Sequence, residues 1–223
     1  GASALRVAGG IFTKIADKMN PTDLVKKLDV FFRKFDEIVF SNNLERIKTI
    51  GDAYLAAGGV PVRNNTNPID TVLTGLQIQH YMKNLQEESQ GSGGDVWRLR
   101  LGINTGEITA GIIGSKRLAY DVWGSTVNYA QRMEMLGEPD QVTISFNTYL
   151  HIEPYFECVY KGQVSTKGGG KIQMYQVKRI KPELSIDGNG IYPNERFHKI
   201  VNLHHYSSIN YYKAERFILR KLE

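Results

Sequence analysis

Apolar positions along this chain recur with two different periods. From Asn20 to Val39, the residues Leu24, Val25, Leu28, Phe31, Phe32, Phe35, Ile38 and Val39 follow a 3.6-residue spacing. That spacing predicts a long amphipathic helix with a wide aromatic face. Asn20-Pro21-Thr22-Asp23 opens it with an N-cap, a proline at the first helical position and a carboxylate in the first turn. A second helix is predicted after Asn67-Pro68, with Ile69, Val72, Leu73, Leu76 and Met82 facing inward. Between the two, Arg46 to Gly58 alternates like a hairpin turning at Gly51-Asp52. Gly91-Ser92-Gly93-Gly94 reads as a flexible loop, and Trp97 to Ile113 as a second hairpin around Thr105-Gly106.

Tyr120 to Arg132 reads as a short strand, a glycine turn and the first turns of a helix. Ser125 is expected to be its N-cap. Asn128 and Arg132 stand four apart and so share one helical face, with Val127, Ala130 and Met133 on the other. A short strand over 141–145, a short helix over 146–152 and strands over 155–161 and 171–177 complete the pattern. The order of elements predicts an α+β domain with helices on one face of an antiparallel sheet.

A length of 223 residues suits one domain with an appendage. The net charge of +5 is uneven: residues 178–223 hold nine Lys/Arg against five Asp/Glu, leaving the first 177 nearly neutral. A basic tail on a balanced domain, with no base-reading module, argues against a nucleic-acid partner. Cys158 is the single cysteine, so no intrachain disulfide forms and a reducing, cytoplasmic setting is expected. No apolar run reaches the ~20 residues of a membrane helix. Gly1-Ala2-Ser3 reads as a tag remnant. Beyond Lys178, Pro182, Gly188, Gly190 and Pro193 mark a linker, and Asn194 is placed to cap a helix through Phe197, Ile200, Val201 and Leu203. Domain boundaries are therefore expected at 1–178 and 179–223.

A strand-borne carboxylate beside a helix bearing Asn and Arg suits a ligand with base edges and phosphates, since the Arg fork donates two hydrogen bonds at once. The same letters also describe a capped surface helix with a solvated Arg. The run Tyr120-Asp121-Val122-Trp123-Gly124-Ser125-Thr126-Val127-Asn128-Tyr129-Ala130-Gln131-Arg132 resembles the signature of class III nucleotidyl cyclases, the adenylyl and guanylyl cyclase catalytic domains. Glu45 to Tyr54 resembles their metal-bearing hairpin, Leu101 to Ile108 their central hairpin, and Thr166-Lys167-Gly168-Gly169-Gly170 their terminal basic loop. Four motifs in the family's order span roughly residues 10 to 178. Ala214 to Leu222 faintly resembles the first helix of an HD-type phosphohydrolase, so a regulatory or effector domain is expected on the same parent chain.

The resemblance implies a ferredoxin-like βαββαβ core and conversion of ATP to 3′,5′-cyclic AMP and pyrophosphate. It implies two divalent ions, Mg2+ or Mn2+, with Asp52 as a ligand. Lys48 and Asp121 stand where the family reads the base. A lysine donor and a carboxylate acceptor fit adenine's ring nitrogen and amino group, and guanylyl members carry Glu and Cys-like residues there. Asn128 would orient the ribose, Arg132 would stabilise transition-state charge, and Lys167 would hold the triphosphate tail, with Phe12 and Thr13 beside the substrate. The spacing GxxxxGK[ST] is absent, so Lys167 lies in no P-loop. The family divides each site between two subunits, which implies a head-to-tail homodimer.

Two positions depart from the pattern. Five residues before Thr13, where members carry the first metal aspartate, stands Ala8, and Ile11 replaces a glycine. The opening strand also reads as too short. A degenerate site with one metal ligand, a substituted residue, or residues missing from the opening strand would each account for this. A domain that binds nucleotide without catalysis, or a guanylyl cyclase, are the alternative functions.

Overall fold

The computed structural model describes residues 1–9, 19–90, 97–165 and 170–204. The opening segment is a full strand, β1 (Ala2–Gly9), contrary to the expected short one. Ser3 is no loose tag remnant: it is fully buried, donates to Asn67 Oδ1 at 2.7 Å and lies 2.8 Å from Thr105 Oγ1. There follow α1 (Pro21–Ser41), β2 (Leu44–Ile50), β3 (Ala53–Gly58), α2 (Asn67–Gln90) and β4 (Leu99–Gly106). These six make the βαββαβ unit, and their strands lie in the order β2-β3-β1-β4. The sheet continues through β7 (Gln141–Ser145), β9 (Lys171–Ile180) and β8 (Phe156–Ser165), and all its pairings are antiparallel except β4 with β7.

α1 begins as its letters require, with the Asn20 side chain accepting from the Thr22 amide at 2.8 Å. Phe31, Phe35, Ile38 and Val39 are buried, with Phe35 edge-on to Tyr54 of β3 and Tyr81 of α2, whereas Val25 is exposed. Ile69, Val72, Leu73, Leu76 and Met82 of α2 are all buried, and the Gly75 backbone rests on Leu101, Ile103 and Val142.

Three expectations fail, each for a local reason. Thr105-Gly106 turns no hairpin: β5 (Thr109–Ile113) leaves the sheet and pairs with β6 (Ala119–Trp123) as a separate two-stranded arm. The helices do not share one face. α3 (Ser125–Leu136) packs on the face opposite α1 and α2, over Arg6 of β1 and over Gly102 of β4, where any Cβ would collide with the backbone of Ala130 and Glu134. Ser125 is the first helical residue, and Gly124, at φ 133°, stands at the N-cap without a side-chain bond.

α4 (Phe146–Ile152) lies on the α2 side, where Thr148 meets Thr105. After β9, Asn194 caps a helix over 195–204 by accepting from the Phe197 amide, and Leu184, Phe197 and Val201 return to the core. Among the described residues no helix is long and apolar enough to cross a membrane.

Candidate active site

Lys48 reaches its place through an irregularity in β2. The β2–β3 register shifts between Arg46 and Lys48, leaving Ile47 as an extra residue, and such a bulge re-aims the side chains beyond it. Lys48 Nζ then donates to Asp121 Oδ2 at 2.6 Å, joining the seven-stranded sheet to the arm. Asp121 is mostly buried and Lys48 about half so. Burial opposes the Asp121 charge, but hydrogen bonds from Lys48 and from the Val122 amide outweigh it and hold the carboxyl below its usual range. A partly exposed pair contributes little to stability, on the order of 1 kcal/mol or less; its consequence is a donor and an acceptor fixed side by side.

α3 carries Asn128 and Arg132. Its N-terminus is anchored on both sides: Thr126 Oγ1 donates to Glu107 O at 2.7 Å, and Asn104 Nδ2 donates to Thr126 O at 3.1 Å. Further along, Glu134 is almost fully buried between two arginines, 3.5 Å from Arg6 Nε and 2.9 Å from Arg100 Nη2. Asn128 is exposed. Arg132 Nη1 donates to Ser165 O at 2.7 Å, at the end of β8. This brings the guanidinium beside the start of the basic loop; Lys167 itself, like Phe12 and Thr13, lies outside the described residues. The structure therefore joins Lys48 to Asp121 and Arg132 to Ser165 at the end of β8. Sequence reasoning missed Ser165, whose backbone carbonyl leaves no trace in its letter, and the Glu134 clamp, whose partner Arg6 lies 128 residues away.

Asp52 follows Gly51, whose φ of 58° makes the β2–β3 turn. Among the described residues its carboxylate has no hydrogen-bond or ion-pair partner. A cavity of about 400 Å3 lies elsewhere, lined by Asn64, Thr66, His151 and Tyr155 and including none of the residues above. Asn128 is exposed and Lys48, Asp52 and Arg132 are part-exposed, outside that cavity, and the arm exposes Ile112, Ile113, Leu118 and Trp123.

Residues 10–179 match the family described as the adenylate and guanylate cyclase catalytic domain. This chain belongs to the class III nucleotidyl cyclases. It is 34% identical over 165 residues to an adenylate cyclase of Mycobacterium tuberculosis, covering 74% of this chain and 36% of that protein. It is 33% identical over 167 residues to guanylate cyclase soluble subunit beta-2 of Rattus norvegicus, covering 74% of this chain and 24% of that protein. The chain thus spans about a third or less of the length of these relatives. In structure it is similar to the non-canonical dimeric guanylyl cyclase domain of the RhoGC fusion protein from Blastocladiella emersonii, at a TM-score of 0.73 and 26% identity, covering 81% of this chain and 97% of that one. The cyclase family so includes both nucleotide specificities at nearly equal distance.

Class III cyclases are generally metal-dependent, and among the described residues Asp52 is the one carboxylate that the resemblance offers as a ligand; alone it does not fit a pair of divalent ions. Among the described residues no group of three or more His, Cys, Asp and Glu side chains could hold an ion. Asp52 is a single carboxylate, Ala8 stands where the first aspartate is expected, and Asp17, the next carboxylate along the chain, lies outside the described residues.

Proposed function

We propose that this chain is the catalytic domain of an adenylyl cyclase, which takes ATP and forms 3′,5′-cyclic AMP and pyrophosphate. The observation that carries the reading is the contact between Lys48 Nζ and Asp121 Oδ2. An ammonium has three N–H donors and spends one on Asp121. The carboxylate takes one bond from Lys48 and one from the Val122 amide, which leaves lone pairs for an amino group. An adenine edge, an acceptor beside an amino donor, therefore meets both groups without breaking their contact. Guanine presents the same two kinds of group in the opposite order.

The remaining residues follow from their chemistry. Asn128 offers an amide to the ribose. Arg132 keeps free donors beyond the one given to Ser165 and turns them to the phosphates, where charge grows in the transition state. Lys167 holds the triphosphate tail, and Phe12 and Thr13 border the substrate. The 3′-oxygen bonds to the α-phosphorus as that phosphorus parts from its bridging oxygen; pyrophosphate leaves with the electron pair, and the 3′-hydroxyl proton passes to water. Asp52 is the carboxylate this chain can offer to Mg2+ or Mn2+.

A site whose residues lie part-exposed, outside any cavity found among the described residues, leaves room for a second subunit to close it. A two-fold, head-to-tail pair would bring Asp52 of one chain to Asn128 and Arg132 of the other. The exposed apolar side chains of the arm support such pairing, since patches of this kind mark interaction surfaces. The nearly neutral domain and lone Cys158 suit work in the cytoplasm, where ATP is held. Competition of ATP and GTP for a bound fluorescent nucleotide tests the reading. ATP should bind about tenfold or more tightly than GTP; equal or tighter GTP binding would refute it.

A further inference from the structure

We propose that Asp36 and Arg46 are positioning residues for base reading: their contact between α1 and β2 pins the bulge at Ile47 and so decides the face of the sheet on which Lys48 stands. The inference rests on the ATP reading above and concerns what aims its lysine.

Asp36 of α1 holds both strands of the β2–β3 hairpin. Its Oδ2 accepts from Arg46 Nη1 of β2 at 2.8 Å, and its Oδ1 accepts from the Tyr54 hydroxyl of β3 at 2.6 Å. The Arg46 guanidinium also lies 5.8 Å from the centroid of the Tyr54 ring, which closes a triangle of three side chains. Tyr54 is fully buried, with the rings of Phe32 and Phe35 from α1 at 5.6 and 5.7 Å between centroids. Burial, and after it the Asp36 carboxylate, pushes the phenol far up, so the proton stays on Tyr54 and the hydroxyl donates. Asp36 thus ties Arg46 to a side chain that the core already fixes.

The pleat shows what this tie does. Directly opposed residues of an antiparallel pair share a face, and so do residues two apart on one strand. Arg46 opposes Ala56, and Ala56 shares its face with Tyr54, the side where α1 packs. Lys48, two residues beyond Arg46, would stand on that same face in a regular strand, against the aromatic side chains of α1. It opposes Leu55 instead. Leu55 also opposes Arg6, whose guanidinium meets Glu134 of α3, so Lys48 stands on the α3 face and meets Asp121 there. The extra residue at Ile47 turns it over, since one added residue exchanges the two faces of a strand.

The bulge is pinned at both ends. On the turn side, Thr49 opposes Tyr54, Ile50 opposes Ala53, and Gly51 at φ 58° makes the turn. On the other side, Arg46 is the last residue before the register shifts, and Asp36 holds it. Ile47 and Lys48 are left between these anchors to face the single Leu55. With Arg46 released, the extra residue is free to move along β2, and Lys48 loses its assigned face. The Arg46 and Asp36 side chains are 44% and 37% exposed. An ion pair that exposed contributes little to stability, so the fold can spare it while the register cannot.

The test uses the full chain and the competition of ATP and GTP for a bound fluorescent nucleotide. Lys48→Ala sets the scale, lowering the ratio of ATP to GTP affinity about tenfold. Asp36→Asn keeps an acceptor for Tyr54 and loses the charge that faces Arg46. It and Arg46→Ala should each lower the ratio about fivefold or more, and neither should lower it further in the Lys48→Ala background. Arg33→Ala, which breaks the exposed pair with Asp29 on the same helix, should leave the ratio unchanged. Melting temperatures should stay near wild type throughout. An unchanged ratio in Asp36→Asn and Arg46→Ala, beside a lowered one in Lys48→Ala, overturns the inference and leaves the ATP reading intact. Losses that add to that of Lys48→Ala also overturn it, because the tie then acts through something other than Lys48. A Lys48→Ala ratio equal to wild type refutes base reading by Lys48 and the inference with it. Should Asp36→Asn fail to fold, as judged by its melting curve, Arg46→Ala, which truncates a part-exposed side chain, decides alone.

Discussion

Lys48 and Asp121 lie 73 residues apart in the chain and 2.6 Å apart in the fold. One comes from the bulged edge strand of the main sheet and the other from the two-stranded arm. Their union depends on both elements at once, so it reports the geometry of the proposed base-reading surface.

Exchanging the donor and acceptor should exchange the base. The double variant Lys48→Glu, Asp121→Cys should bind ATP about tenfold more weakly and gain affinity for GTP, because each base edge then meets the wrong or right partner. The competition assay measures both affinities. An unchanged ATP:GTP ratio would place base reading elsewhere on the surface.

α3 holds its residues in place through Glu134 and Gly102. Glu134→Gln leaves the part-buried Arg6 and Arg100 without their shared carboxylate, which should cost on the order of 1–3 kcal/mol, less than for fully buried charges. Gly102→Ala drives a methyl group into the α3 backbone, an overpacking with no flexible side chain to yield. Both variants should melt well below wild type in a calorimetric or circular-dichroism scan, Gly102→Ala by the larger margin. Wild-type melting of Gly102→Ala would show that α3 does not rest on β4 as described.

Asp70, in the first turn of α2, has its carboxyl pushed up to about 6, chiefly by burial, while the hydrogen bond from Thr66 works the other way. A raised carboxyl binds its proton more tightly in the folded chain than in the unfolded one. Stability from this group is therefore greatest below about pH 4 and falls as pH rises from there to about 6. Asp70→Asn keeps an acceptor for Thr66 and removes the charge. It should raise unfolding free energy by on the order of 1–3 kcal/mol at pH 7 and change it little at pH 3.5. Urea titrations at the two pH values measure the difference; equal effects at both would show that ionisation is not the cause.

The sequence carries the core more plainly than the site. The aromatic period of α1, its Asn20 cap and the Gly51-Asp52 turn are local patterns, and each appears as read. The pairing of β5 with β6 was hidden because alternation shows that a segment is a strand and not which strand it meets. α3 lies opposite α1 and α2 because small residues, Gly102 above all, admit it there, and such residues are silent in a hydrophobic pattern. The Ser125 hydroxyl suits a cap, but the turn needs φ 133°, and glycine takes the position. Lys48 and Asp121 became legible through family resemblance alone, since nothing local links positions so far apart.

A two-fold, head-to-tail pair, as proposed above, predicts that damage to opposite halves of the site complements. Asp52→Ala alone and Arg132→Ala alone should each leave little turnover, because every site of either homodimer then lacks one group. A mixed dimer keeps one whole site of two, since both lesions can fall in the other. Random exchange makes about half the dimers mixed, so cyclic AMP formation should recover to roughly a quarter of wild type. Asp52 occupies a turn with no side-chain partner among the described residues, so Asp52→Ala should not unfold. Verified mixed dimers as inactive as either parent would mean that each chain builds its site alone, and the shared site would be wrong.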